Sequence, residues 1–218
     1  MSHYKEYNFQ DLGINLPLKL FGDSRILCGE QPIVFLIDEN HDNLNSCIDR
    51  NIQNAKELIT NANVEIIGVE SLAGGKEWDE ETQNYVTDDC NEKYYKEVLL
   101  KQYKNNCPKF ANDLCENYRH LIVGVESIGM TGKIEMDFQK GNPFYEQPVS
   151  SHPLHKERSK HFIKTLFEYY NSRQLIGNLI LNCGSNHNSD IEEWIRNGEI
   201  DAIANHKASY VRLNAFED

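Results

Sequence analysis

Apolar and polar positions fall in alternating blocks along this chain. Ile33-Val34-Phe35-Leu36-Ile37 is a continuous, β-branched apolar run, the pattern of a strand covered on both faces. It stops abruptly at Asp38-Glu39-Asn40-His41-Asp42-Asn43. From Leu44 to Ile59 the apolar residues (Leu44, Cys47, Ile48, Ile52, Ala55, Leu58, Ile59) recur at helical spacing. That spacing predicts an amphipathic helix, with Asp42 or Asn43 as its N-cap. Similar blocks follow. Val64 to Val69 reads as a strand stopping at Glu70-Ser71, and His120 to Val125 as another closing with Glu126-Ser127. Leu179 to Cys183 is a further strand, leading into Gly184-Ser185-Asn186-His187. Arg25-Ile26-Leu27-Cys28 is a short apolar burst, and Tyr210 to Leu213 reads as a terminal strand.

Between these runs, helices are expected at 108–119, with Pro108 in the first turn, at 155–171 and at 189–197. The polar, Tyr-rich stretch 78–105 reads as one or two more. Leu72 to Gly75 has loop composition. Residues 129–153, with Gly129, Gly132, Gly141, Pro143, Pro148 and Pro153, form a long irregular segment, readable equally as a lid or as a disordered insertion. Strands alternating with helices predict a layered α/β domain around a central, mostly parallel β-sheet. No linker divides residues 1–218, so one domain is expected.

Composition narrows the partners. There are 34 acidic against 22 basic residues and a formal charge of −12. Nucleic-acid binding requires clustered Lys and Arg, and anionic membrane surfaces attract the same residues, so neither partner is expected. No run approaches the roughly 18 apolar residues of a membrane span. The six cysteines form no CxxC pair, which argues against a zinc ribbon or a thioredoxin-type site. The first residues, Met1-Ser2-His3-Tyr4-Lys5-Glu6, lack the apolar core of a secretory signal, and a cytoplasmic chain with reduced thiols is the expectation.

Candidate chemistry gathers at strand ends. Four apolar runs terminate in Glu39-Asn40-His41, Glu70-Ser71, Glu126-Ser127 and Gly184-Ser185-Asn186-His187. Ligands of open α/β sheets bind beyond the carboxyl ends of parallel strands, so these side chains are expected to meet at one rim. His41, Glu70, Glu126 and His187 together could ligate a divalent metal, since imidazole and carboxylate suit Zn²⁺, Mn²⁺ or Co²⁺. Alternatively a His–Glu pair activates water directly. Asp38, Glu39 and Asp42 are equally readable as acids at the start of the following helix. Ile67-Gly68-Val69-Glu70-Ser71 and Val123-Gly124-Val125-Glu126-Ser127 nearly repeat one another, readable as a half-repeat or as chance recurrence of a five-residue pattern. Cys183 ends an apolar strand and reads as a small buried hydrophobe rather than a nucleophile for His187.

These motifs resemble the superfamily of the Tiki and TraB proteins, the ChaN-like haem-uptake lipoproteins and the erythromycin esterases. Asp38-Glu39-Asn40-His41 matches the first His element, with Asp38 where many members have Gly. Val69-Glu70 matches the strand ending in glutamate, and Gly184-Ser185-Asn186-His187 the late Gly-x-x-His element. Arg158, at the head of a helix, matches an arginine that the family carries before its last motif. The resemblance implies a hydrolase in which His41, Glu70, His187 and Arg158 are catalytic, acting on an ester, lactone or amide of a small molecule or peptide. Its Tiki branch implies metal dependence, with one Mn, Co or Zn ion on His41, Glu70, Glu126 and His187. Its ChaN-like branch implies the alternative, a non-catalytic haem or small-molecule binder, for which Tyr94, Tyr95, Tyr103, His152, His155 and His161 are candidates. In the hydrolytic reading, His41 and Glu70 deprotonate the water, Glu126 and His187 complete the pocket, and Arg158 stabilises the oxyanion.

Overall fold

The computed structural model describes residues 20, 23–27, 31–39, 45–73, 77–79, 84–86, 109–138 and 147–214. Eight strands are described: β1 (Asp23–Leu27), β2 (Ile33–Glu39), β3 (Val64–Ala73), β4 (Glu77–Asp79), β5 (Asn84–Val86), β6 (Ile122–Glu126), β7 (Asn178–Gly184) and β8 (Ser209–Asn214). The helices are α1 (Asn45–Asn61), α2 (Lys109–Tyr118), α3 (Ile128–Asp137), α4 (Pro153–Ser172), α5 (Ser185–Asn197) and α6 (Ile200–Ala204). Six strands make one sheet in the order β1-β8-β2-β7-β3-β6. All neighbours from β8 to β6 run parallel, and β1 alone is antiparallel, at an edge. The expected layered α/β architecture with a mostly parallel sheet is what forms.

Every residue of β2 is buried, as its uninterrupted apolar run requires. Strand side chains alternate between faces. Ile33, Phe35 and Ile37 meet Ile52, Ala55 and Leu58 of α1 and Phe110 and Leu114 of α2. Val34 and Leu36 join the opposite core, with Phe162, Ile163 and Leu166 of α4 and Ile191, Trp194 and Ile195 of α5. Strand order explains this division. The crossovers through α1 and α2 step toward the β6 edge, whereas those through α4 and α5–α6 step back toward β1. Right-handed crossovers in opposite directions must lie on opposite faces. Strand β7 therefore sits between β2 and β3, whose chains leave for the other side of the sheet. That is a topological switch point, where the strand ends open a crevice.

Several expected boundaries move. The helix expected at 189–197 starts four residues earlier: α5 begins at Ser185, placing His187 on it. Strand β3 continues to Ala73, through residues expected in a loop, with a register shift between Val69 and Ala73. His120 and Leu121 belong to a 3-10 turn, Arg119–Leu121, ahead of β6. Within the stretch read as helical, β4 and β5 pair antiparallel, in keeping with the strand propensity of Trp78, Tyr85 and Val86. The segment expected to be irregular is helical over Ile128–Asp137, where the Ser127 hydroxyl accepts the Met130 N–H at 3.4 Å. Burial of Thr131 and Ile134, together with that cap, outweighs the poor helix propensity of two glycines. A 3-10 turn follows at Val149–Ser151.

Candidate functional site

Strand β3 carries Glu70 at its irregular end, and such bulges redirect side chains. The Glu70 carboxylate is buried and accepts a hydrogen bond on each oxygen from the described residues. Oε2 takes the backbone N–H of Gly184, 2.6 Å away at the end of β7, and Oε1 takes Arg158 Nη2 at 3.1 Å. Glu126, at the end of the neighbouring β6, is buried too. Its Oε1 accepts from Ser127 N–H at 2.8 Å and from Arg158 Nε at 3.1 Å, and its Oε2 accepts from Arg158 Nη2. One guanidinium thus binds both carboxylates, in the forked geometry that lysine cannot copy. Arg158 comes from the second turn of α4, and its guanidinium carbon lies 5.6 Å from the centre of the Phe162 ring.

Helix α4 reaches this rim because the sheet lets it ride close. A Cβ on Gly68 would sit 3.0 Å from Leu166 Cδ1 and 3.0 Å from Val125 Cγ1. The helix start is held by His152, whose Nδ1 accepts the Leu154 N–H at 3.1 Å and whose Nε2 lies 3.1 Å from Asp137 Oδ2.

His187 approaches from the first turn of α5, with Nε2 3.4 Å from Glu70 Oε1. Its ring stacks on His155, with centroids 4.0 Å apart and planes within 6°, and meets the edge of Phe162 at 4.8 Å. On its other side Nδ1 lies 2.7 Å from Ser159 Oγ, which is 2.8 Å from Asp190 Oδ2. The same Asp190 oxygen is 3.1 Å from His155 Nδ1. Burial alone would raise the Asp190 carboxyl, but hydrogen bonds from His155 and Ser159 bring it below the usual carboxylate range.

Of the residues singled out in the sequence, Glu70, Glu126, Arg158 and His187 are therefore neighbours. His41, Tyr94, Tyr95 and Tyr103 lie outside the described residues. His152 serves as a helix cap, and His161 lies 3.3 Å from Thr165 Oγ1, with burial lowering its pKa. Ser159, Asp190 and the stacking His155 complete the cluster, though no strand-end pattern pointed to them. Their signal was helical spacing: Ser159 stands four residues after His155 and Asp190 three after His187.

Asp38 does not cap the following helix. It lies near the end of β2 and receives Arg212 of β8, with Nε–Oδ1 at 3.1 Å and Nη2–Oδ2 at 2.8 Å. Asn188 Nδ2 donates to Asp38 Oδ1 at 2.7 Å, and Arg212 Nη1 donates to Glu192 at 2.8 Å. Burial raises the Asp38 carboxyl, with Arg212 opposing the shift. Cys183 is fully buried, which pushes its thiol well above the usual value, and its Sγ donates to Asn188 Oδ1. A thiolate nucleophile is excluded by that setting.

Two groupings bear on metal binding. His155, His187 and Asp190 offer ligand atoms within 4.8 Å of one another. Their parallel rings, however, point in-plane lone pairs side by side rather than toward one point, and both Nδ1 atoms already have hydrogen-bond partners. In the set expected from sequence, Arg158 places its positive charge between Glu70 and Glu126. A cation there would have to displace it.

No family model, curated protein or solved structure matches this chain.

Proposed function

We propose that the rim formed by Glu70, Glu126, Arg158 and His187 is the active site of a hydrolase that adds water to an ester, lactone or amide carbonyl of a small molecule or peptide. The observation that carries this reading is the contact of a buried imidazole with a buried, arginine-held carboxylate at the switch point of a parallel sheet. His187 Nε2 takes the proton of the attacking water, and Glu70 stabilises the imidazolium that results. Arg158 fixes both carboxylates and offsets the negative charge that builds on the carbonyl oxygen. Glu126 anchors Arg158. His41 enters on sequence grounds alone, as a second imidazole two residues past the end of β2. The metal-free form is favoured because Arg158 already supplies the cation between the carboxylates. This assignment agrees with the water-activating branch of the superfamily that the motifs resemble.

The test is hydrolysis of p-nitrophenyl acetate, a simple aliphatic lactone and a mixed peptide pool by wild type, His187→Ala and Glu70→Gln. Turnover of at least one class, falling about 10²–10⁴-fold in each variant, is expected. Unchanged turnover in both variants overturns the assignment. Metal content by mass spectrometry decides between the two forms of the mechanism: one equivalent of Mn, Co or Zn, lost in His187→Ala, would replace the metal-free one.

A further inference from the structure

We propose that Ser159 and Asp190 are positioning residues that hold neutral His187 as the tautomer protonated at Nδ1, leaving the Nε2 lone pair beside Glu70 as the proton acceptor. The role in catalysis rests on the hydrolytic reading above, whereas the tautomer does not.

A count of protons leads there. Ser159 Oγ has one proton and three close neighbours: His187 Nδ1 at 2.7 Å, Asp190 Oδ2 at 2.8 Å and the His155 carbonyl at 3.2 Å. The hydrogen bonds on Asp190 keep its carboxyl below the ordinary range, so at neutral pH it has no proton to give. Two oxygens 2.8 Å apart need a proton between them, and it must come from Ser159. With that proton spent, the contact at 2.7 Å is a hydrogen bond only if His187 Nδ1 carries hydrogen. The reverse assignment, Ser159 donating to Nδ1, would give Nε2 a hydrogen to turn toward Glu70 Oε1 at 3.4 Å, but it would leave the hydroxyl and carboxylate oxygens of Ser159 and Asp190 facing each other bare at 2.8 Å, and the closer pair decides. His155 Nδ1 must likewise be protonated, since it meets the same carboxylate oxygen at 3.1 Å. Turning the His187 ring over would set carbon against Ser159 and lose the contact.

The consequence is chemical. Nε2 accepts the proton of water as the water oxygen bonds to the carbonyl carbon, and later returns it to the leaving group. Meanwhile Nδ1–H stays on His187, donating to Ser159, which donates to the Asp190 carboxylate. No proton moves along this relay. It orients the ring, and the carboxylate stabilises the transient imidazolium at one remove. The buried, stacked His155 ring holds His187 from swinging away.

Long-range ¹H–¹⁵N spectra of the imidazoles at about pH 8, where an ordinary histidine is neutral, test this directly. Wild-type His187 should show a protonated Nδ1 and a bare Nε2. Asp190→Ala frees the Ser159 proton to turn toward Nδ1, so His187 should switch to Nε2–H, and Ser159→Ala should give a mixture. A wild-type ring protonated at Nε2, or an Asp190→Ala ring still protonated at Nδ1, overturns the relay. Against p-nitrophenyl acetate, Ser159→Ala should lower kcat about 10²-fold with little change in KM, and Ser159→Thr should restore part of it. Tautomers as assigned in a protein that hydrolyses nothing would sink the hydrolytic reading and support the relay. Hydrolysis by a wild-type ring protonated at Nε2 would do the reverse.

Discussion

At the residue scale, Arg158 carries a heavy electrostatic burden. It is buried with two buried carboxylates, and removing one partner of such a cluster leaves uncompensated charge in a poorly solvated place. Arg158→Met should destabilise the fold by about 3–5 kcal/mol in urea unfolding, and Arg158→Lys by less, since it keeps the charge but loses the fork. Two carboxylates should show opposite pH signatures. The folded pKa of Asp190 is lowered, so its stabilisation is present above the unfolded carboxylate value and is lost as pH falls through the folded one. The folded pKa of Asp38 is raised, so its contribution is full below the unfolded value and is lost as pH rises through the folded one. Unfolding free energy measured against pH for Asp190→Asn and Asp38→Asn should therefore deviate from wild type with opposite slopes across the acid range.

At the element scale, the site depends on how closely α4 lies on the sheet and on where β3 bends. Gly68 is the contact point, so Gly68→Val should cost about 1–3 kcal/mol by forcing the helix outward. Thermal melts and the His187 imidazole signals should report both effects. The near-repeated segments around Glu70 and Glu126 turn out to lie on adjacent strands, but one residue out of step: Ile67 pairs with Ile122 and Gly68 with Val123. The shift before Ala73 then lets both glutamates reach one arginine. Neither the offset nor the bulge could be read from the two segments, because each looks locally like the same strand. Arg212 links β8 to β2 and α5 through Asp38 and Glu192. Arg212→Met should be more destabilising than Asp38→Asn, since it strands two carboxylates while asparagine retains an acceptor for the arginine.

At the scale of the whole molecule, the sheet is assembled out of chain order. Strand β7 arrives late in the sequence and is inserted between β2 and β3, so the middle of the sheet is completed by the last forty or so residues. A chain ended at residue 176 lacks β7 and β8 and would leave β2 and β3 without their shared neighbour. It should show no cooperative unfolding transition by circular dichroism, whereas the full chain should. Among the described residues, no helix is long and apolar enough to cross a membrane.

The sequence alone determined the class of the fold, because continuous apolar runs and helical periodicity are local consequences of which faces must be buried. It also marked Glu70, Glu126 and His187, since chemistry-bearing residues recurred where apolar runs stop, and resemblance marked Arg158. Only the tertiary structure decided that these four meet, because strand order and register are set by long-range pairing that no local pattern encodes. It also brought in Ser159 and Asp190. Helix α5 starts earlier than its polar first turn implied, from Gly184, which offers no capping side chain. His187 and Asp190 consequently share a helical face against α4, and that packing, rather than any motif, completes the relay.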